Sequence, residues 1–199
     1  MDIAIVLYDG FDELDAIGPY EVFRTAAAAG ADCRATLRTM EATPGVTASH
    51  GLRVVPDSPL EDVHPDLLVV PGGGWNDRGP TGAWAEAERG TIPAAVAQHH
   101  EAGAIIAGVC TGGLLCARAG VLDGRPAVTH KSALDDLRKT KAEVVDARVV
   151  DDGDVLTAGG VTAGLDLAFH LVEREFGADI AAQVRSEMEY DPRGTVYRE

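Results

Sequence analysis

The sequence predicts an α/β fold, a doubly wound and mostly parallel sheet sandwiched by helices, and three observations carry that reading. Short apolar runs without polar alternation, Ile3-Ala4-Ile5-Val6-Leu7, Leu67-Leu68-Val69-Val70 and Ala104-Ile105-Ile106-Ala107, have the character of strands covered on both faces. Stretches with helical spacing stand between them, as the crossovers of parallel strands require. Two glycine-rich loops, Pro71-Gly72-Gly73-Gly74 and Gly108-Val109-Cys110-Thr111-Gly112, follow two of these runs. Such sheets build their sites at strand carboxyl ends.

Taken in order, the first strand covers residues 3–8 and ends in Asp9-Gly10 turn chemistry. Gly18-Pro19 is expected to interrupt the next segment, so that a helix begins again at Pro19, a favourable first-turn residue, and runs to Gly30. On that reading Asp15 sits on a turn. Residues 33–40 alternate enough for a second strand, and 46–55 read as a short hairpin or edge pair. A turn at Pro59-Leu60-Glu61-Asp62 precedes the strand Leu67-Leu68-Val69-Val70. Residues 84–103 carry helical spacing, with a break expected at Gly90 and Pro93. Beyond the cysteine loop, residues 127–130 read as a brief extended piece and 132–137 as helix. Residues 144–150 and 155–158 read as strands flanking the Asp152-Gly153 turn. Gly159-Gly160-Val161-Thr162-Ala163-Gly164 then launches an amphipathic helix through Leu165, Phe169, Val172 and Phe176, ended by Gly177. A last helix is expected over 179–188, followed by a polar, frayed tail at 190–194.

At 199 residues and 46% hydrophobic content the chain suits one buried core, and a single domain over residues 1–199 is expected. Three cysteines with no Cys-x-x-Cys or His-x-x-x-His pair give neither a disulfide framework nor a metal pattern, which points to a reducing, cytoplasmic setting. The N-terminus reads as a strand and not as a signal peptide. No apolar stretch approaches the ~20 residues of a membrane span. A net charge of −15 argues against nucleic acid, whose phosphates need a basic face. Lys131, Lys139 and Lys141 are the only lysines against 32 acidic residues, an imbalance like that of acidic proteins from high-salt cytoplasm. If the surface is of that kind, stability falls when salt is removed.

The chemistry centres on Cys110. Apolar residues before Gly108, and Leu114, Leu115 and Ala117 on one face after it, put the thiol on a strand-to-helix corner. Gly-x-Cys-x-Gly is the thiol counterpart of the Gly-x-Ser-x-Gly nucleophile elbow, in which small neighbours let a strained backbone present one side chain. A helix N-terminus there is expected to favour the thiolate. Asp15 has the residue type of a helix cap, and Thr111 that of a helix-start hydroxyl, a pocket hydrogen-bonding group, or both. His130 reads as a core, dimer-interface or catalytic histidine, and Cys116 as buried packing. His99 and His100 read as solvated residues of a helix end, and Trp75 as a possible wall of the pocket mouth. Neither Gly72-Gly73-Gly74 nor Gly159-Gly160 has the lysine and spacing of a phosphate loop.

In their order, Leu68-Val69-Val70-Pro71-Gly72-Gly73, Gly108-Val109-Cys110-Thr111-Gly112 and Val128-Thr129-His130 resemble the ThiJ/PfpI superfamily over residues 3–190. The resemblance implies a flavodoxin-like sandwich with the amidotransferase-like nucleophilic cysteine on its elbow. Leu14-Asp15-Ala16-Ile17-Gly18-Pro19, Cys110-Thr111-Gly112, Thr162-Ala163-Gly164-Leu165-Asp166 and Glu189-Tyr190 most resemble its isonitrile hydratases. The same pattern resembles the sensor half of AraC-type regulators, a reading that the acidic charge disfavours. Carried over, the resemblance makes Cys110 the nucleophile and Asp15 its acidic partner, where many relatives have Glu. Thr111 stands where protease-like relatives have His, which argues against peptidase activity.

A carboxylate beside a thiolate repels it, so the pair is expected to share one proton. Cys110 would then attack an isocyanide carbon, with Asp15 supplying the proton and Gly72, Gly73 and Thr111 holding substrate or developing charge. No metal or organic cofactor is required. The expected partners are a small-molecule substrate and a second copy of the chain in a homodimer, with no nucleic acid and no membrane. The alternatives are a glyoxalase- or deglycase-type relative using the same cysteine, and a cysteine-based redox or stress sensor.

Overall fold

The computed structural model of the chain describes residues 1–198. Its central sheet has eight strands: β1 (Asp2–Val6), β2 (Arg34–Thr39), β3 (Ser58–Pro59), β4 (Leu67–Val70), β5 (Ile105–Val109), β6 (Val149–Asp151), β7 (Val155–Ala158) and β8 (Val196–Arg198). They lie in the order β8-β6-β7-β5-β4-β1-β2-β3. All neighbours pair in parallel except β6 with β7, so β6 and β8 run against the other six. The apolar runs form the middle of the sheet, with Ile3 opposite Leu67 and Leu67 opposite Ile105. All of these except the half-buried Ile105 are at most 1% exposed. This register brings the ends of β1, β4 and β5 together at one edge.

Among the described residues seven α-helices flank the sheet: α1 (Glu13–Ala28), α2 (Ala83–Arg89), α3 (Thr91–Glu101), α4 (Gly112–Arg118), α5 (Leu134–Leu137), α6 (Ala163–Phe176) and α7 (Ala178–Glu187). Helices α1, α6 and α7 pack on one another as one layer, and α2, α3 and α4 as another. Among the described residues no helix is long and apolar enough to cross a membrane. The expected hairpin is present as Val46–Thr47 paired with Arg53–Val54. The expected break falls at Gly90, in a left-handed conformation. Pro93 does not break anything, because it sits in the first turn of α3, where no N–H is needed.

Three expectations are corrected. Helix α1 does not start at Pro19 but at Glu13, with the Asp12 side chain accepting from Leu14 N–H at 3.2 Å as its cap. Pro19 lies within it and is tolerated partly because the residue before it is Gly18, which has no Cβ to meet the proline ring. A Cβ on Gly18 would also press on Leu165 of α6 at 3.1 Å, so the same glycine sets the approach of the two helices. The expected strand at 144–150 is split: Val144 pairs with Ala127 in a small separate ribbon, and only Val149–Asp151 joins the central sheet. The tail is docked and not frayed. Tyr190 stacks on Phe169 at 5.3 Å, Arg193 N–H donates to Asp166 at 2.6 Å, and β8 completes the sheet beyond it.

Candidate active site

Cys110 follows β5 with φ +55°, a left-handed conformation rare for any residue but glycine. Its backbone is fixed on both sides. The N–H donates to the carbonyls of Ala158 and Gly159, at 3.1 and 3.0 Å, and the carbonyl accepts from Thr129 Oγ1 at 2.8 Å. Helix α4 begins two residues later, so the strand-to-helix corner predicted from the sequence is present. Its glycine has a steric cause: a Cβ on Gly112 would run into the carbonyl of Val70 at the end of β4.

Asp15 lies in the first turn of α1 and is fully buried. Its Oδ2 accepts from Gly72 N–H at 3.0 Å, while Oδ1 has no aligned hydrogen-bond partner. Burial, then the charge of Asp12, push its carboxyl up to about 8, against the lowering effect of the Gly72 and Cys110 hydrogen bonds. Burial, then the charge of Asp15, push the Cys110 thiol up to about 12, although the Val161 and Thr111 N–H groups favour the thiolate. The expectation that the helix start would leave a thiolate at rest is thus corrected. With 6% of Cys110 exposed and an acid beside it, burial and like charge outweigh the backbone donors.

The Pro71-Gly72-Gly73 loop faces both groups. Gly73 N–H donates to Thr111 Oγ1 at 2.9 Å, and Gly72 N–H is taken by Asp15. The two glycines, expected to hold substrate, therefore hold the acid and the threonine in this structure. A Cβ on Gly72 would come within 2.5 Å of Thr111 Oγ1, so only glycine allows this approach. The Thr111 side chain makes no cap bond to α4, and its hydroxyl serves the glycine loop instead.

Val161 is a residue that the sequence did not single out. It has φ +38°, a conformation unfavourable for a β-branched side chain, and its N–H acts on the Cys110 sulfur. The signal was Gly160 just before it, where a Cβ would run into the His130 ring. His130 is not joined to the cysteine–aspartate pair. Its Nδ1 bonds Ser132 Oγ at 2.7 Å, and its ring lies against Gly160. It lines a neighbouring cleft of about 590 Å³ with Thr129, Arg148 and Val161. Cys116 is fully buried packing, as expected. His100 is not a free solvated residue, since its Nε2 bonds Asp154 at 2.8 Å. Trp75 is 4% exposed, donates to Asp136 at 2.8 Å and meets Trp84 edge-on at 5.2 Å, walling a cleft that Leu114 and Arg118 of α4 also line. Asp12, Glu13 and His50 stand close together, but Glu13 accepts from Ser49 and from the backbone of His50 and pairs with its ring. The group is a clasp between that loop and α1.

The DJ-1/PfpI family model matches residues 1–174. The chain is 35% identical over 193 residues to an isonitrile hydratase from Pseudomonas putida, covering 96% of this chain and 79% of that protein. It is 28% identical over 187 residues to the Parkinson disease protein 7 homolog of Danio rerio, covering 92% and 93% of the two chains. The crystal structure of a ThiJ/PfpI family protein from Pseudomonas syringae superposes with a TM-score of 0.85 at 29% identity, over 96% of this chain and 76% of that one.

Proposed function

The chain belongs to the DJ-1/PfpI family, and within it we propose that this member is an enzyme that hydrates an isonitrile to an N-substituted formamide through Cys110. The observation that carries the reading is the acid beside the thiol. Asp15 is buried, its surroundings favour the protonated form, and its Oδ1 has no other aligned partner. Such a group can give a proton to a carbon that a thiolate has attacked. The likeness to an isonitrile hydratase supports the choice of electrophile.

In the productive state the pair holds one proton. The Cys110 sulfur attacks the terminal carbon of R–NC, forming the S–C bond, and Asp15 delivers its proton to that carbon to give the thioimidate R–N=CH–S. Ionised Asp15 then takes a proton from water as the hydroxide adds to the carbon. The second water hydrogen goes to nitrogen, the S–C bond breaks, and R–NH–CHO leaves with Asp15 protonated again. The strained elbow holds the sulfur in place, and the Thr111 and Val161 N–H groups stabilise it as it is expelled. At neutral pH the resting pair holds two protons, so turnover rises with pH toward the value of about 8 at Asp15.

Formamide production from an alkyl and an aryl isocyanide tests the reading. Turnover is expected from the natural chain, with a loss of at least about 10³-fold in both Cys110→Ala and Asp15→Asn. No turnover of any isocyanide, alongside consumption of methylglyoxal, would reject it.

A further inference from the structure

The loop that holds Asp15 is wired through its peptide groups. The Pro71 carbonyl accepts from the Tyr8 hydroxyl at 2.7 Å, and the N–H of the same peptide unit, that of Gly72, donates to Asp15 Oδ2 at 3.0 Å. The next unit repeats the pattern. The Gly72 carbonyl accepts from Asp12 N–H at 2.8 Å, and Gly73 N–H donates to Thr111 Oγ1 at 2.9 Å. Both units are trans, so carbonyl and N–H point to opposite sides and each unit bridges an outer donor to an acceptor in the site. A donor on the carbonyl draws charge toward oxygen and makes the N–H a stronger donor to the other side.

Tyr8 follows β1, is 6% exposed, and lies edge-on to the buried Phe11 ring at 6.5 Å. Phenylalanine would fill the same apolar space but leave the buried Pro71 carbonyl without its donor, so what the Tyr8 hydroxyl adds beyond packing acts through that one peptide group. We propose that Tyr8 is a positioning residue whose hydroxyl fixes and polarises the Pro71–Gly72 peptide, and thereby strengthens the hydrogen bond that Asp15 receives. The inference concerns the Cys110–Asp15 pair itself and holds whichever electrophile Cys110 attacks.

The groups acting on Asp15 are Asp12 of its own helix and Cys110 of the elbow. Those acting on Tyr8 are Asp15, Cys110, Asp12 and Glu86 of α2, which with burial keep the phenol protonated. The Gly72 hydrogen bond pulls the Asp15 carboxyl down against burial and Asp12. Removing the Tyr8 hydroxyl weakens that pull, and Asp15 then holds its proton to higher pH.

The test is the pH dependence of Cys110 alkylation by iodoacetamide on the full chain, with peptide mass spectrometry separating Cys110 from Cys33 and Cys116. The rate steps upward where Asp15 ionises and can act as base toward the thiol. Tyr8→Phe is expected to move the midpoint of that step up by roughly 0.2–0.6 pH unit, a minor fraction of one charge-assisted hydrogen bond. Asp15→Asn is expected to abolish the step, with no further effect of Tyr8→Phe in that background. Placing 3-fluorotyrosine at position 8, a more acidic phenol and stronger donor, moves the midpoint the other way and remains informative if the Phe variant fails to fold. A midpoint unmoved by either change, with only the melting temperature of the Phe variant lowered, would make Tyr8 a packing residue and overturn the proposal.

Discussion

Asp15 is the residue at which stability and chemistry are opposed. Its carboxyl is raised to about 8 in the fold, whereas in the unfolded chain it ionises near 3.8. The unfolded state therefore binds fewer protons in between, and the contribution of this group to stability is greatest below pH 3.8 and is lost as pH rises toward 8. Asp15→Asn removes that dependence, keeps an oxygen for Gly72 N–H, and is expected to raise stability at pH 7 by on the order of 2 kcal/mol while abolishing turnover. Denaturant unfolding at pH 4 and pH 7 measures it, since the gain should shrink at the lower pH. Cys110, Thr111, Gly72 and Gly73 were legible because each lies in a local pattern that reports its own backbone. Asp15 was not, since only the pairing of β1 with β4 brings α1 to the Gly72 loop, and the resemblance alone identified it. Val161 and Tyr8 were missed for the same reason: what matters is a backbone N–H and a hydroxyl whose partners are distant in sequence.

Helix α1 shows how an element can carry a local signal and be misread. Gly18-Pro19 has the form of a stop, yet the missing Cβ of Gly18 and its packing against Leu165 let the helix pass through. The real start is Asp12, which both caps α1 and, as a charge, raises Asp15. Asp12→Ala thus has two expected effects of different origin. Loss of the cap lowers stability by about 1 kcal/mol, and loss of the charge lets Asp15 ionise at lower pH, so the rising limb of the activity profile moves down. Chemical denaturation and a pH–rate profile on the same variant read the two separately. The docked tail escaped the sequence reading because its segment is polar and its anchors, Asp166 and the Phe169 ring, belong to α6.

For the whole molecule, the alternation of apolar runs and helical stretches was sufficient to read a doubly wound sheet, because fully covered parallel strands leave no other pattern. The two-residue edge strand β3 was beyond that signal, being too short for any period, whereas the Asp152-Gly153 turn marked the reversal at β6 and only the length of that strand was misread. Net charge acts at this scale. With −15 spread over the chain, raising salt from 0.01 to 1 M shortens the screening length from about 30 to about 3 Å and should raise the melting temperature by several degrees, as scanning calorimetry would record. A melting temperature independent of salt would mean that surface ion pairs such as Arg125 with Asp154 at 2.5 Å already balance the repulsion. The chain has two tryptophans, and both stand at one corner. Trp75 is borne on the loop that supplies Gly72 and Gly73, and Trp84 on the first turn of α2. Intrinsic fluorescence is therefore a local reporter: its emission follows movement of the loop over Asp15 and Cys110, while an opening of the β8 edge across the sheet leaves it unchanged.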